Sequence, residues 1–332
     1  MYTVHMKTTT ATKIISYLGA HSQATAKELA DVTGISRQAL FRQLGKLQMQ
    51  DQIYKIGTPP EVFYLLKQKI IEDHRDHTEI DPATKIYIDK NYLFITPTGE
   101  RLEGLVGFID WCRKTKQPVE KTAQEYVKTL GKYNAYKKNG LIDGTVKLKT
   151  TFGHSSMHKL YYLDFYSIER FGKTKLGQLL LYAKQSQNRH LIKELIVDIK
   201  PAIAQLIKKN NIEAIGFIPP TVKREVQFMK ELERQLHFKV AKISIFKIRN
   251  GISVPQKTLN KLEDRIENAK KTMVVDTTKQ YKNILLIDDA VGSGATLNEI
   301  AAQIKTKGVG SGKIFGLAVT GSFKGFDVIS EV

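Results

Sequence analysis

Two adjacent carboxylates, Asp288 and Asp289, stand directly after four apolar residues, Ile284, Leu285, Leu286 and Ile287. They stand directly before a run of small and hydroxyl residues: Ala290, Val291, Gly292, Ser293, Gly294, Ala295 and Thr296. The chemistry open to that order is recognition of a phosphorylated sugar. The apolar run reads as a buried strand whose end delivers both carboxylates to accept hydrogen bonds from neighbouring sugar hydroxyls. Gly292 and Gly294 let the backbone bend closely around a phosphate, and Ser293 and Thr296 add hydroxyl donors. A helix beginning near Thr296 would aim its free N–H groups and positive dipole end at the same anion. Acid pair, loop and helix start together predict a cradle for a ribose 5-phosphate.

A second set of residues points to a different polyanion. In TAKELADVTGISRQALFRQLGKL, Ala30 is small enough for two helices to approach closely, and Gly34 can take the positive φ of a sharp interhelical turn. Ser36 can cap the next helix, whose buried stripe is Ile35, Leu40, Leu44 and Leu47. The opposite side carries Arg37, Gln38, Arg42, Gln43 and Lys46, and with Ser36 these are the candidate DNA-binding residues, suited to base edges and phosphates in a major groove. Two alternating apolar runs follow around Gly57, Thr58, Pro59 and Pro60 and read as a hairpin wing. The pattern predicts a winged helix-turn-helix over residues 1–70, serving to bind DNA or to dock a protein.

Positioning the acid pair requires an α/β sheet. From residue 145 onward, VKLKTTF, KLYYLDFYS, AIGFIPP, KVAKISIFKI, NILLIDDA and KIFGLAVTGS read as strands, with residues 176–210 helical. The helix ATLNEIAAQIKTKG between the last two strands makes a parallel strand–loop–helix–strand unit, and ligands in such sheets gather beyond the carboxy ends of the strands. Residues 145–332 are therefore expected to form a parallel-sheet, Rossmann-like α/β domain. Residues 71–144 read as a mainly helical connector or dimerisation surface, with Pro118 starting or breaking a helix and Leu105, Phe108 and Trp111 as a core stripe.

Several alternatives are excluded. The strand and acid pair also suit a P-loop ATPase, but no GxxxxGK[ST] occurs, and Gly308 to Lys313 has the wrong spacing, reading instead as a helix-to-strand turn. A response-regulator receiver needs more chain than follows Asp289. Cys112 is the only cysteine, which excludes an intramolecular disulfide and a multi-thiolate zinc site. No apolar run approaches a membrane span of roughly 20 residues, and the start MYTVHMKTTTATK lacks a secretory signal, so a cytoplasmic protein with no membrane partner is expected. The formal charge of +19 favours nucleic acid or phosphorylated small molecules.

The segment ILLIDDAVGSGAT resembles the motif that binds 5-phosphoribosyl 1-pyrophosphate (PRPP) in type I phosphoribosyltransferases. PQKTLNKLEDRIENAKKTM resembles the ComF-like branch through Gln256, Leu259, Arg265 and Asn268. The likeness spans about residues 155–322. It implies that Asp288 and Asp289 take the ribose 2- and 3-hydroxyls and that residues 290–296 hold the 5-phosphate, although Gly292 replaces a frequent hydroxyl residue. It further implies that Ile218, Pro219 and Pro220 form the pyrophosphate loop, with Arg224 as its basic follower, although Glu225 and Val226 stand where glycine and an aromatic residue are common. Lys184 matches a lysine found after a helix in the family. ComF-like proteins usually begin with a cysteine zinc module, which this chain cannot make. Its winged helix instead resembles purine-repressor-type regulators, which sense PRPP.

Two functions follow from the resemblance. One is a PRPP-responsive DNA-binding protein in transcriptional control or DNA handling, with double-stranded DNA as partner and a homodimer reading two half-sites. The other is an active phosphoribosyltransferase in which Asp288, Asp289 and Arg265 are catalytic. There Arg265, Arg224 and Lys184 offset pyrophosphate charge, and Mg²⁺ arrives with PRPP. Each of these three cations is also readable as an ordinary surface or strand-capping cation, Arg224 and Lys184 more readily than Arg265.

Overall fold

The computed structural model describes residues 9–50, 52–58, 60–67, 80–222, 224–248, 254, 258–259 and 261–322. Contacts divide the chain into two compact units, Met1–His77 and Thr78–Val332.

The first unit runs α1 (Thr10–His21), β1 (Ala24–Thr25), α2 (Ala26–Thr33), α3 (Arg37–Met49), β2 (Ile53–Thr58) and β3 (Glu61–Leu66). Each helix starts on a side-chain cap. Thr9 accepts from Thr12 N, Thr25 and Glu28 form a reciprocal capping box, and Ser36 accepts from Ala39 N. Gly34 takes φ +67° between α2 and α3, as the turn requires. Ile14, Leu18, Leu29, Leu40, Leu44, Leu47, Ile53 and Tyr64 form the core. The hairpin β2–β3 runs from Ile53↔Leu66 to Thr58↔Glu61, and β1 adds to the other side of β3. This is the expected winged helix-turn-helix; Pro59, at the expected hairpin turn, lies outside the described residues.

The second unit begins with α4 (Pro82–Asn91), β4 (Leu93–Ile95), β5 (Arg101–Glu103), α5 (Gly104–Lys114) and α6 (Val119–Asn134), followed by β6 (Lys137–Lys138), β7 (Leu141–Asp143), α7 (Thr145–Phe152) and β8 (Lys159–Phe165). It continues with α8 (Lys175–Gln185), α9 (Arg189–Lys209), β9 (Ala214–Phe217), α10 (Phe228–Leu236), β10 (Ala241–Ile243), β11 (Ile245–Lys247), α11 (Leu262–Thr272), β12 (Met273–Val275), β13 (Ile284–Val291), α12 (Ala295–Thr306) and β14 (Ile314–Gly321). Seven strands form one sheet in the order β10-β9-β13-β14-β8-β7-β6. The first five are parallel, and β7 and β6 extend the sheet antiparallel. Strand alternation sends Ile284 and Leu286 of β13 into one core and Leu285 and Ile287 into another. The fold is mixed α/β with a largely parallel sheet, and β13 lies inside it between β9 and β14.

Four expectations are corrected. The segment assigned as a connector, residues 71–144, is described from residue 80. There Ile88, Phe108, Cys112 and Tyr126 share a core with Leu286 and Leu297, while β6 and β7 join the sheet. Its described residues pack with the α/β unit rather than as a separate connector, and the chain divides after His77, where boundaries at 70 and 144 were expected. VKLKTTF is helix α7, because only Leu148 of its apolar positions is fully buried, Val146 is exposed, and Asp143 Oδ1 accepts from Thr145 N at 2.8 Å to start the turn. The helix expected over residues 176–210 is broken at Gln187, which takes φ +54°, and restarts on the Asn188 cap. KVAKISIFKI splits at Ser244, and β11 leaves the main sheet to pair with β12. Among the described residues no helix is long and apolar enough to cross a membrane.

Candidate functional site

The apolar run of β13 buries Ile284 to Ile287 completely, which fixes where the next two residues emerge. Asp288 Oδ1 accepts from Asp289 N at 2.8 Å. Burial, and then the neighbouring Asp289 charge, push the Asp288 carboxyl up to about 8. Asp289 is compensated differently, because its Oδ2 lies 2.7 Å from Lys184 Nζ in the last turn of α8. Arg224 in turn donates from Nη1 to the Lys184 carbonyl, tying the segment after β9 to the end of α8.

Beyond Val291 the chain turns through Gly292 and Ser293 into α12. Gly294 is its N-cap at φ +82°, with no side-chain cap on the helix start. Ser293 Oγ accepts from Ala295 N at 3.3 Å. Behind the loop stands α7: a Cβ placed on Gly294 would lie 3.0 Å from Leu148 Cδ1. On the other side Ile218 N donates to Ile287 O at 2.9 Å, which seats Pro219 and Pro220 beside the acid pair at the carboxy edge of the sheet. Arg265 reaches the same place from α11. It is nearly buried, and its Nε donates to Leu259 O at 2.7 Å, so two residues quoted for the ComF-like resemblance hold one another. Gln256, quoted with them, lies outside the described residues.

One cleft is lined by Lys184, Pro219, Pro220, Arg224, Arg265, Asp288, Asp289, Ala290, Val291, Gly292, Ser293, Gly294, Ala295 and Thr296. Every residue singled out for sugar-phosphate binding thus meets in one place. Thr221, Val222, Gln227, Phe228, Met229 and Leu297 also line it and were missed. The prolines before Thr221 marked a loop, but nothing in the spacing marked the start of α10 as its far wall. The arrangement sets two acid side chains, Asp288 held toward its protonated form, against three cations and the start of α12, a combination suited to a ligand with a diol and several phosphates.

On α3 of the first unit, Arg37, Gln38, Arg42 and Lys46 are exposed, Gln43 is half-buried, and Ser36 is engaged as the helix cap. Phe41, absent from the expected set, is exposed among them.

Residues 8–53 match the family described as winged helix-turn-helix DNA-binding. No curated protein matches the chain. Among solved structures, the chain is similar to the crystal structure of adenine phosphoribosyltransferase from Leishmania tarentolae. It is 12% identical, with a TM-score of 0.25, over 48% of this chain and 90% of that one. The amino-terminal unit is thus a winged helix-turn-helix domain of the DNA-binding type, preceding a mixed α/β unit.

Proposed function

We propose that the chain binds PRPP in the α/β cleft and duplex DNA through α3, and that PRPP occupancy regulates its DNA affinity in transcriptional control or DNA handling. The observation that carries this reading is the convergence of Asp288, Asp289, Lys184, Arg224 and Arg265 on one loop and helix start. In the proposal the carboxylates accept the ribose hydroxyls, residues 292–296 wrap the 5-phosphate, and the three cations face the pyrophosphate. The test is a titration of duplex DNA with and without Mg²⁺–PRPP: a shift in affinity supports the reading, and unchanged affinity with PRPP demonstrably bound sinks the regulatory part.

Among the described residues no group of three or more His, Cys, Asp or Glu could hold a metal ion. Two carboxylates, one already paired with Lys184, fit a magnesium ion that brings its own waters and phosphate oxygens. Asp288 and Asp289 would orient such a complex, and the ion would neutralise pyrophosphate charge.

The three cations also favour a second reading, an active phosphoribosyltransferase. A nitrogen acceptor would form a bond to C1 of the ribose as the C1–O bond breaks and its electron pair leaves with pyrophosphate. Lys184, Arg224 and Arg265 would stabilise that departing charge. Pyrophosphate release across a panel of nucleobases and amines would support this reading; binding without turnover leaves the regulatory one.

A further inference from the structure

The face of α3 turned away from its core is built from positions 37, 38, 41 and 42, which sit on two successive turns of one side, while Leu40, Leu44 and Leu47 point inward. Three of those four outward residues are polar or cationic. The fourth is Phe41, a residue left 48% exposed although the other side of the same helix supplies the unit's core. Leaving a phenyl ring in water forfeits the burial that the other large apolar residues of α3, Met49 apart, achieve. Its surroundings restrict what could cover it. The helix RQALFRQLGKLQM contains no acidic residue, and it carries Arg37, Arg42 and Lys46 as exposed positive charge, Arg37 one turn before Phe41 and Arg42 next to it. An apolar protein surface would have to desolvate those cations, whereas a polyanion pairs with them.

In a duplex major groove the apolar feature offered at the base edges is the 5-methyl group of thymine, and a phenyl ring is one of the side chains able to contact it. Gln38, one turn back on the same face, has the two-pronged amide that suits adenine. We propose that Phe41 is a specificity-determining residue that reads a thymine methyl, with Arg37, Arg42 and Lys46 setting the helix against the backbone around it. This rests on the reading that α3 binds duplex DNA.

The experiment uses the full chain. Duplexes are selected from a random pool by the wild-type protein, and each thymine of the enriched site is then replaced singly by deoxyuridine, which lacks only the methyl. Affinities are measured for wild type, Phe41→Ala and Phe41→Leu. The expected result is a thymine whose replacement weakens wild type about fourfold, the effect of one buried methyl. The same replacement leaves Phe41→Ala unaffected and Phe41→Leu partly sensitive. Equal methyl dependence in wild type and Phe41→Ala, or none in wild type, overturns the assignment while leaving DNA binding intact. Failure of the wild-type protein to enrich or bind any duplex overturns the DNA reading itself, and the role of Phe41 with it. Melting of each variant at the wild-type temperature confirms that the exposed substitution leaves the unit folded.

Discussion

Lys184 and Asp289 pair at 2.7 Å with both side chains largely shielded from water, so removing one partner strands the other. Lys184→Met is expected to destabilise the α/β unit by about 1–3 kcal/mol, discounted for partial exposure. Adding Asp289→Asn to it should recover most of that loss; a double variant as unstable as the sum of the two singles would mean that the pair is not coupled. Asp288 gives a pH signature of the opposite kind. An unfolded aspartate titrates near 3.9, while the folded carboxyl is pushed up to about 8, so between these values the folded state holds the extra proton. Stability therefore falls as pH rises through that window. Asp288→Asn removes the penalty: its melting temperature should match wild type near pH 4, exceed it by a margin that widens as pH rises, and level off above about pH 8. Parallel melting curves at every pH would show that Asp288 is ionised at ordinary cost.

The loop between β13 and α12 owes its shape to Gly294 at φ +82° and to the wall provided by α7 behind it. Gly294→Ala places a Cβ in a left-handed residue and 3.0 Å from Leu148, so a loss of about 1–2 kcal/mol and weaker phosphate binding are expected, read by denaturant unfolding and by phosphate titration. Elements with strong local signals were legible in the sequence. The unbroken apolar run of β13, the glycines after it, and the Gly34–Ser36 turn with the buried stripe of α3 each carry their own chemistry. What was not legible depended on tertiary neighbours. The two short strands β6 and β7 exist because β8 offers an edge to pair with. The alternation in VKLKTTF was overruled because only Leu148 of it is fully buried. The break at Gln187 is a positive φ in a residue that does not advertise one. The same limit hid the α10 wall of the cleft, whereas the acid pair and loop carry their signal in residue type and order, and the cations were placed only by the family resemblance.

At the scale of the whole molecule the formal charge is +19, and the two proposed binding sites differ in how they should respond to salt. If α3 contacts phosphates as proposed, those contacts would release counterions, so DNA affinity should fall steeply with salt, and Arg42→Ala should weaken all duplexes and lower the slope of log affinity against log salt by about one. A slope unchanged by that substitution would remove Arg42 from the interface. The cleft cations are shielded and pair with specific groups, so ligand binding there should depend less on salt than DNA binding does. The account's central claim is that the acid pair and its loop form a PRPP site, and calorimetry of Mg²⁺–PRPP binding tests it most directly. Saturable binding to the wild-type protein, abolished in a folded Asp288→Asn, Asp289→Asn double variant, is the predicted result. A folded wild-type protein that binds no PRPP, or a double variant that binds it equally well, would contradict the claim.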